Sequence, residues 1–232
     1  MIIGILNTDT IKAEFASKYG QYPIMFASAF HQIDPEIIFK TYEVQSGEYP
    51  EDIEECDGYL ITGSKVSTYD DLMWVRDLEI FIHALYQKKK KLIGICFGHQ
   101  IIASTLGGIV AKAAKGWHVG VNEMTYVDSA ITLGDKNKSI RLIYNHQDQV
   151  QKLPENAELL GSTKNCPIAM FSIGNCILSI QGHIEFDRAY AKDLMVMRQE
   201  ILGKEKFQAG CKSLEQPTEE AQIIQDILKF LS

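Results

Sequence analysis

The sequence lacks long apolar runs, an excess of basic residues and the glycine-rich motifs that bind nucleotides. No apolar stretch approaches the roughly 20 residues that a membrane-spanning helix needs. Lys and Arg number 23 against 30 Asp and Glu, so the net charge is −7, the opposite of a nucleic-acid-binding surface. Neither G-x-G-x-x-G nor G-x-x-x-x-G-K-[ST] occurs. We therefore expect no membrane partner, no nucleic-acid partner and no cofactor.

The cysteines show neither a disulfide framework nor metal-ligand spacing. There are five, at positions 56, 96, 166, 176 and 211, and an odd number with irregular spacing argues against paired thiols. A reduced, cytoplasmic chain is the simplest interpretation, and we expect no metal site. The N-terminal run Met1–Asn7 is apolar but short and lacks a charged leading segment, which favours a first β-strand over a signal peptide.

Short apolar runs alternate with longer amphipathic ones along the 232 residues. In the first half the order is strand, helix, strand, helix, which is typical of a parallel sheet with helices on both faces. We predict a single α/β domain, built as three layers around a mostly parallel, twisted sheet. Its core would extend to about residue 202, and a polar connector (203–217) with a last helix would fill 203–232.

Hydrophobic periodicity predicts the individual elements. A helix from Asp71 to about Lys90 has apolar residues at 3–4 spacing and so buries one face. Further helices are expected at Asp187–Ile201 and Thr218–Leu231, with Asp187 and Thr218 as possible N-caps. The expected strands are Ile2–Leu6, Ile37–Tyr42, Gly58–Ile61, Leu92–Ile95, Gly120–Val127, Ile140–Tyr144, Ile168–Ile173 and Cys176–Ile180.

The most informative segment is Gly94-Ile95-Cys96-Phe97-Gly98-His99-Gln100. An apolar run precedes it and a helix-like run follows it, which is the strand–turn–helix pattern of a nucleophile elbow with Cys in place of Ser. Such a turn admits only small flanking residues, so its two glycines have a steric reason. The helix N-terminus favours a thiolate. The pattern therefore predicts Cys96 as an exposed nucleophile rather than a structural thiol.

A cysteine nucleophile needs a base and a group that orients the base. Of the six histidines, His183 has the most informative setting, because it ends a strand-like run and precedes Glu185 by two positions. In extended backbone, residues i and i+2 lie on the same face, so Glu185 can hold the imidazole. For the oxyanion we expect two backbone donors, the N–H of Phe97 after the nucleophile and that of Gly63 at a neighbouring strand end.

Three motifs in this order resemble a class I glutamine amidotransferase domain. They are the elbow around Cys96, then Asn145-His146-Gln147-Asp148, then Gln181-Gly182-His183-Ile184-Glu185. The resemblance covers nearly the whole chain and is closest to stand-alone proteins similar to the amidotransferase half of GMP synthase, including γ-glutamyl peptidases. It implies a flavodoxin-like fold without a cofactor.

The resemblance also implies a role for each matching residue. Cys96 would be the nucleophile, His183 the base and acid, and Glu185 its orienting carboxylate. Gln100 would bind the substrate glutamine. The stretch Asn145, His146 and Gln147 would hold the glutamine head group through its backbone, a reading that we favour over a second triad or a metal pair formed by His146 and Asp148.

The sequence departs from the family pattern at two positions. Ile184 stands where the family usually has Pro between the His and the Glu. Proline fixes φ and removes an N–H donor, whereas Ile suits extended backbone, so the shared face of His183 and Glu185 is kept while the rigidity of the turn is not assured. Gln147 stands where many relatives have Gly, which places the close backbone approach in question.

Three functions are consistent with these residues. The first is hydrolysis of a γ-glutamyl amide, either glutamine or a γ-glutamyl compound, through a γ-glutamyl thioester that releases ammonia or an amine. In the second, the chain is a glutaminase subunit that passes ammonia to a separate synthetase partner. The third is a non-hydrolytic thiol sensor or binding module, which the presence of both His183 and Glu185 disfavours. The first of these three functions needs only a small-molecule substrate.

Overall fold

A computed structural model describes residues 1–127 and 139–232 of the chain. The strands are β1 Ile2–Asn7, β2 Ile38–Glu43, β3 Gly58–Ile61, β4 Lys91–Ile95, β5 Ile109–Lys112, β6 His118–Tyr126, β7 Ser139–His146, β8 Asp148–Lys152, β9 Ala157–Thr163, β10 Met170–Ile173 and β11 Ile177–Ile180. The helices are α1 Ala13–Tyr19, α2 Tyr22–His31, α3 Met73–Gln87, α4 Phe97–Thr105, α5 Arg188–Met197, α6 Gln199–Leu202, α7 Lys204–Ser213 and α8 Glu220–Leu231. Within the described ranges, none of these helices has the length and apolar character needed to cross a bilayer.

One large sheet organises the fold, with the strand order β2-β1-β3-β4-β11-β10-β9-β6-β7. Neighbouring strands from β2 to β11 are parallel, and those from β11 to β7 are antiparallel. A separate antiparallel ribbon joins β5 to β8. The parallel half reverses its strand order beside β1, as doubly wound sheets do. The predicted fold class is confirmed, and the strand-rich second half of the chain supplies the antiparallel extension.

The sheet separates two hydrophobic cores because successive residues of a strand point to opposite faces. On β4, Ile93 and Ile95 face the core beneath α1, α2, α5 and α8, whereas Leu92 faces the core beneath α3 and α4. The predicted apolar face of α3 is confirmed, and its buried residues are Val75, Leu78, Ile82 and Leu85. Helices therefore cover both faces of the parallel half.

The predicted strands are all present, with ends that differ from the prediction by no more than two residues. The prediction that Asp187 is an N-cap is confirmed, because its side chain accepts the N–H of Tyr190 at 2.6 Å. The prediction for Thr218 is wrong, since Glu219 occupies the N-cap of α8. Glu219 is fixed there by Arg141, whose carbonyl accepts its N–H at 2.9 Å and whose N–H donates to its Oε2 at 2.8 Å.

The polar stretch after residue 202 contains a helix that the sequence analysis did not predict. Helix α7 occupies most of it, with Gly210 buried and Phe207 packed against the core. The Ser213 hydroxyl at its end accepts the N–H of Val121 at 2.9 Å and so ties α7 to β6. A few small and apolar side chains are therefore enough to anchor this polar helix against β6.

Candidate active site

Cys96 stands at the turn between β4 and α4. Its backbone has φ +55° and ψ −101°, a combination outside the regions that L residues ordinarily adopt. The strained turn is held on both sides: the N–H of Cys96 donates to Ile180 at 2.9 Å, and its carbonyl accepts the N–H of Gln100 at 3.1 Å. This is the backbone of the predicted elbow. Cys96 is only 6% exposed, however, so it is less accessible than the pattern predicted.

The two glycines around Cys96 are there for steric reasons, as the sequence predicted. A Cβ on Gly94 would lie 2.6 Å from the carbonyl oxygen of Gly98. A Cβ on Gly98 would collide with the carbonyl oxygen of Ile61 on β3. Glycine at both positions therefore lets α4 begin directly against the strand ends, with the thiol at the carboxyl edge of the parallel sheet.

His183 and Glu185 meet as the i and i+2 argument predicts. The Nδ1 atom of His183 lies 2.8 Å from Oε1 of Glu185. The segment stays extended because the N–H of His183 donates to the carbonyl of Ile143 on β7 at 2.8 Å. Both side chains are buried. The carboxylate thus fixes one edge of the imidazole and leaves Nε2 to face the thiol side.

Ile184 compensates for the missing proline. Its N–H donates to Oε2 of Glu185 at 3.0 Å, a hydrogen bond that proline is unable to make. Each oxygen of the Glu185 carboxylate therefore has a partner, one on the imidazole and one on the backbone. The orientation of Glu185, which the departure from the family pattern left open, is fixed by a hydrogen bond instead of a ring.

The surroundings of His183 favour its protonated form. Burial by itself lowers the pKa of His183, but the negative charges of Glu185 and Cys96 outweigh it and raise that pKa to about 10. Phe186 covers the face of the ring, with centroids 3.7 Å apart. Within residues 1–127 and 139–232, Nε2 of His183 is buried without a hydrogen-bond partner. That nitrogen is free to exchange a proton with a group beside Cys96.

Gly63 lies just beyond the end of β3, the neighbour of β4 in the sheet. A Cβ added to it would be 3.3 Å from Cε1 of His183 and 3.6 Å from Cβ of Cys96, so its backbone passes directly beside both residues. The N–H of Phe97 belongs to the first turn of α4, where helices have no internal acceptor for their N–H groups. The two expected oxyanion donors therefore belong to residues next to Cys96, one in contact with it in space and one following it in the chain.

A cavity of about 200 Å³ opens over Cys96. It brings together the sequence-predicted residues Cys96, Gln100, Asn145, His146 and Gln147. The Gln100 amide nitrogen already donates to the carbonyl of Asp148 at 2.7 Å and to Oε1 of Gln181 at 3.1 Å. Gln100 is thus held in a fixed orientation before any ligand arrives.

Asn145 and His146 end β7, and Gln147 joins β7 to β8 at the rim of the cavity. Among the described non-glycine residues, positive φ occurs at Lys89 and Cys96 but not at Gln147. The backbone at Gln147 is therefore one that any residue adopts. This removes the conformational objection to Gln in place of the family's Gly.

His146 and Asp148 do not form a second triad. Burial first, and then the neighbouring His118 and His183, lower the pKa of His146 well below its usual value. Neither ring nitrogen of His146 has a hydrogen-bond partner among the described residues, and the Asp148 carboxylate accepts the hydroxyl of Ser67 instead. In the same ranges, no group of three or more His, Cys, Asp or Glu side chains is arranged to hold a metal ion.

Sequence reasoning missed the cationic lining of the cavity. Lys65, Lys112 and Arg198 contribute to it, together with Trp117. Arg198 ends a helix whose periodicity gave no sign of a site, and Lys112 lies on the unpredicted strand β5. A second cavity of about 310 Å³ lies behind Glu185, between α2 and α8. Neither Cys96 nor His183 lines it, so it does not give access to the thiol.

Solved structures with the same fold exist. A glutamine amidotransferase from Thermotoga maritima superimposes with a TM-score of 0.75 at 19% identity, covering 99% of this chain and 96% of that one. At this identity the likeness concerns the fold alone.

Sequence comparisons extend this likeness to a family. A glutamine amidotransferase-like protein of Schizosaccharomyces pombe is 32% identical, covering 99% of this chain and 98% of its own length. Gamma-glutamyl peptidase 4 of Arabidopsis thaliana is 37% identical, with 82% of this chain and 78% of that protein covered. The family model described as glutamine amidotransferase class-I matches residues 19–200. The chain therefore belongs to the class I glutamine amidotransferase family.

Proposed function

We propose that the chain hydrolyses a γ-glutamyl amide through a thioester on Cys96. Cys96 acts as nucleophile, His183 as base and acid, and Glu185 as the group that orients His183. The observation that carries the proposal is the convergence of Cys96, His183 and Gly63 at three strand ends, with His183 held by Glu185 at 2.8 Å. Membership of an amide-hydrolysing family supports the reaction class.

In the first half of the reaction, the Cys96 sulfur attacks the γ-carbonyl carbon and a C–S bond forms. The carbonyl electrons move to oxygen, and the N–H groups of Gly63 and Phe97 stabilise the resulting oxyanion. His183 holds the thiol proton on Nε2 as an imidazolium, which its raised pKa of about 10 favours at neutral pH. It gives this proton to the departing nitrogen as the C–N bond breaks, so ammonia or an amine leaves.

In the second half, water takes the place of the amine. His183, now neutral, accepts a proton from water as its oxygen attacks the thioester carbon. A second oxyanion forms in the same pair of N–H donors, the C–S bond breaks, and glutamate leaves. Cys96 and His183 return to their starting state, so no further reactant is consumed.

Gln100 and the segment of Asn145, His146 and Gln147 bind the glutamyl part in this proposal. Both lie in the cavity with Cys96, and the fixed amide of Gln100 offers a preformed contact. The relative named gamma-glutamyl peptidase 4 supports a γ-glutamyl compound as the substrate. We favour this stand-alone reaction over transfer of ammonia to a synthetase, and over a thiol sensor, which has no need of an oriented base.

The proposal is tested by incubating the full chain with glutamine and with γ-glutamyl dipeptides. We expect release of glutamate and a γ-glutamyl adduct on Cys96 in intact-protein mass spectra. Cys96→Ala should abolish both, whereas Cys211→Ala, which removes another free thiol, should retain them. The proposed function is wrong if the wild type forms no adduct and turns over none of these compounds.

A synthetase-dependent glutaminase would give a different pattern. It would hydrolyse glutamine alone and slowly, leave the dipeptides intact, and need a second protein for full activity. This outcome would keep the roles of Cys96 and His183 but replace the stand-alone reaction.

A further inference from the structure

Arg198 has an unusual position in the cavity over Cys96. It ends α5, and its guanidinium carbon lies 5.0 Å from the centroid of the Trp117 ring. Both side chains line the same cavity as the thiol. An arginine that rests on an aromatic face keeps its planar set of N–H donors in a fixed orientation. The guanidinium is therefore arranged before a ligand binds.

One nitrogen of this guanidinium has no partner. Nη1 of Arg198 is buried and makes no hydrogen bond with any part of the chain that the structure describes. A buried donor without an acceptor is unfavourable unless a ligand or water supplies one. Nη1 therefore marks a place where an acceptor from outside the chain fits.

The charges around the cavity identify the acceptor. Lys65 is paired with Asp9 at 2.6 Å, and the Asp148 carboxylate accepts from Ser67. Among the described ion pairs, neither Arg198 nor Lys112 has an acidic partner. The lining thus keeps an excess of positive charge beside the thiol. A guanidinium binds a planar carboxylate through two parallel hydrogen bonds, so a carboxylate fits this setting.

We propose that Arg198, held on Trp117, binds a carboxylate in the leaving part of the substrate. This inference rests on the proposed function, in which Gln100 and the Asn145–Gln147 segment already serve the glutamyl part. A γ-glutamyl amino acid or peptide carries a second carboxylate beyond the scissile amide, whereas glutamine does not. Arg198 is therefore a specificity residue that favours γ-glutamyl amino acids and peptides with a free C-terminal carboxylate over glutamine.

The test compares two substrates that differ only in this carboxylate, γ-glutamyl-alanine and γ-glutamyl-alaninamide. The wild type should favour the free acid by about 10- to 100-fold in kcat/KM, the range expected for one charge-assisted contact. Arg198→Met should remove most of this preference, and Arg198→Lys should restore part of it. Lys112→Met, which removes another cation of the lining, should keep the preference.

Several outcomes would overturn the inference. It is wrong if the wild type does not discriminate between the two substrates, or if Arg198→Met lowers kcat/KM for both equally, since that would assign Arg198 to the glutamyl part or to stability. Should Arg198→Met fail to fold, the wild-type comparison and Arg198→Lys decide. If the wild type turns over neither substrate and does not turn over glutamine, the proposed function fails separately. Calorimetric affinities of Cys96→Ala for the acid and the amide then test Arg198, and equal affinities refute it.

Discussion

The imidazole of His183 lies flat on the phenyl ring of Phe186, with centroids 3.7 Å apart and ring planes 11° apart. Glu185 fixes the edge of the same imidazole through Nδ1. Two consecutive side chains thus constrain both the plane and the rotation of one ring. Phe186 is itself packed edge-on against Tyr190, at a centroid distance of 4.8 Å, so the stack rests on α5.

Phe186→Leu should therefore lower kcat by about 10- to 100-fold, because small misplacements of a reacting group have effects of this size. KM should change much less, since Phe186 does not line the cavity over Cys96. The measurement is steady-state kinetics on a γ-glutamyl dipeptide. Phe30→Leu makes the same change at another buried position and controls for lost stability. Equal effects of the two variants on kcat would show that the stack on His183 has no special role.

Ile184→Pro tests the hydrogen bond that takes the place of the family's proline. The substitution removes the N–H that donates to Oε2 of Glu185 at 3.0 Å. A hydrogen bond to a charged group contributes about 1.5–3 kcal/mol, so we expect a lower melting temperature and a kcat reduced by about tenfold. Ile184→Val keeps the N–H and should resemble the wild type. A proline variant with unchanged kcat would mean that ring rigidity substitutes fully for the hydrogen bond.

The pH profile should depend on the charge of Glu185. Burial lowers the pKa of His183, yet Glu185 and Cys96 raise it to about 10, so the imidazolium persists until the pH rises through that value. In the proposed mechanism the imidazolium protonates the leaving amine, so its loss should make kcat fall on the alkaline side. In Glu185→Gln the raising charge is absent, so the alkaline limb should move to lower pH.

The measurement is the pH dependence of kcat for the wild type and Glu185→Gln. Glu48→Gln, at an exposed site, should leave the profile where it is. An alkaline limb at the same pH in Glu185→Gln would remove Glu185 as the source of the raised pKa.

Two glycine substitutions should separate stability from activity. Gly98→Ala drives a Cβ into the carbonyl of Ile61, and overpacking of this kind costs about 1–3 kcal/mol. The Cβ that Gly63→Ala adds would contact only side-chain atoms, 3.3 Å from Cε1 of His183 and 3.6 Å from Cβ of Cys96. We therefore expect this variant to have a lower kcat with little loss of stability. Chemical denaturation and kinetics on both variants provide the check. The assignment of Gly63 to the site fails if Gly63→Ala retains full kcat.

The sequence predicted those parts of the fold and site that depend on short-range patterns. The i and i+2 spacing of His183 and Glu185 fixes their common face, and the elbow around Cys96 follows from its glycines. Asp187 was recognisable as an N-cap because the capping bond spans three residues. These features depend on a few neighbouring residues, so no tertiary contact was needed to infer them.

Features that depend on distant partners were missed. β8 reads Asp148-Gln149-Val150-Gln151-Lys152 and is a strand only because β5 pairs with it. Helix α1 has no buried residue and no side-chain cap, so neither hydrophobic periodicity nor a capping residue predicts it. Trp117 and Arg198 are distant in sequence and meet only in the folded chain. For this reason the cationic lining of the cavity could not be predicted from the sequence.

The division of the sheet into a parallel and an antiparallel half also separates two groups of proposed site residues. Cys96 and His183 follow β4 and β11 of the parallel half, while Asn145 and Trp117 adjoin β7 and β6 of the antiparallel half. Substitutions around β6 and β7 that spare Ile143, whose carbonyl accepts the N–H of His183, should therefore alter which compounds are accepted while the proposed catalytic residues keep their places. A variant library confined to the antiparallel half is therefore the natural starting point for redesign of the substrate range.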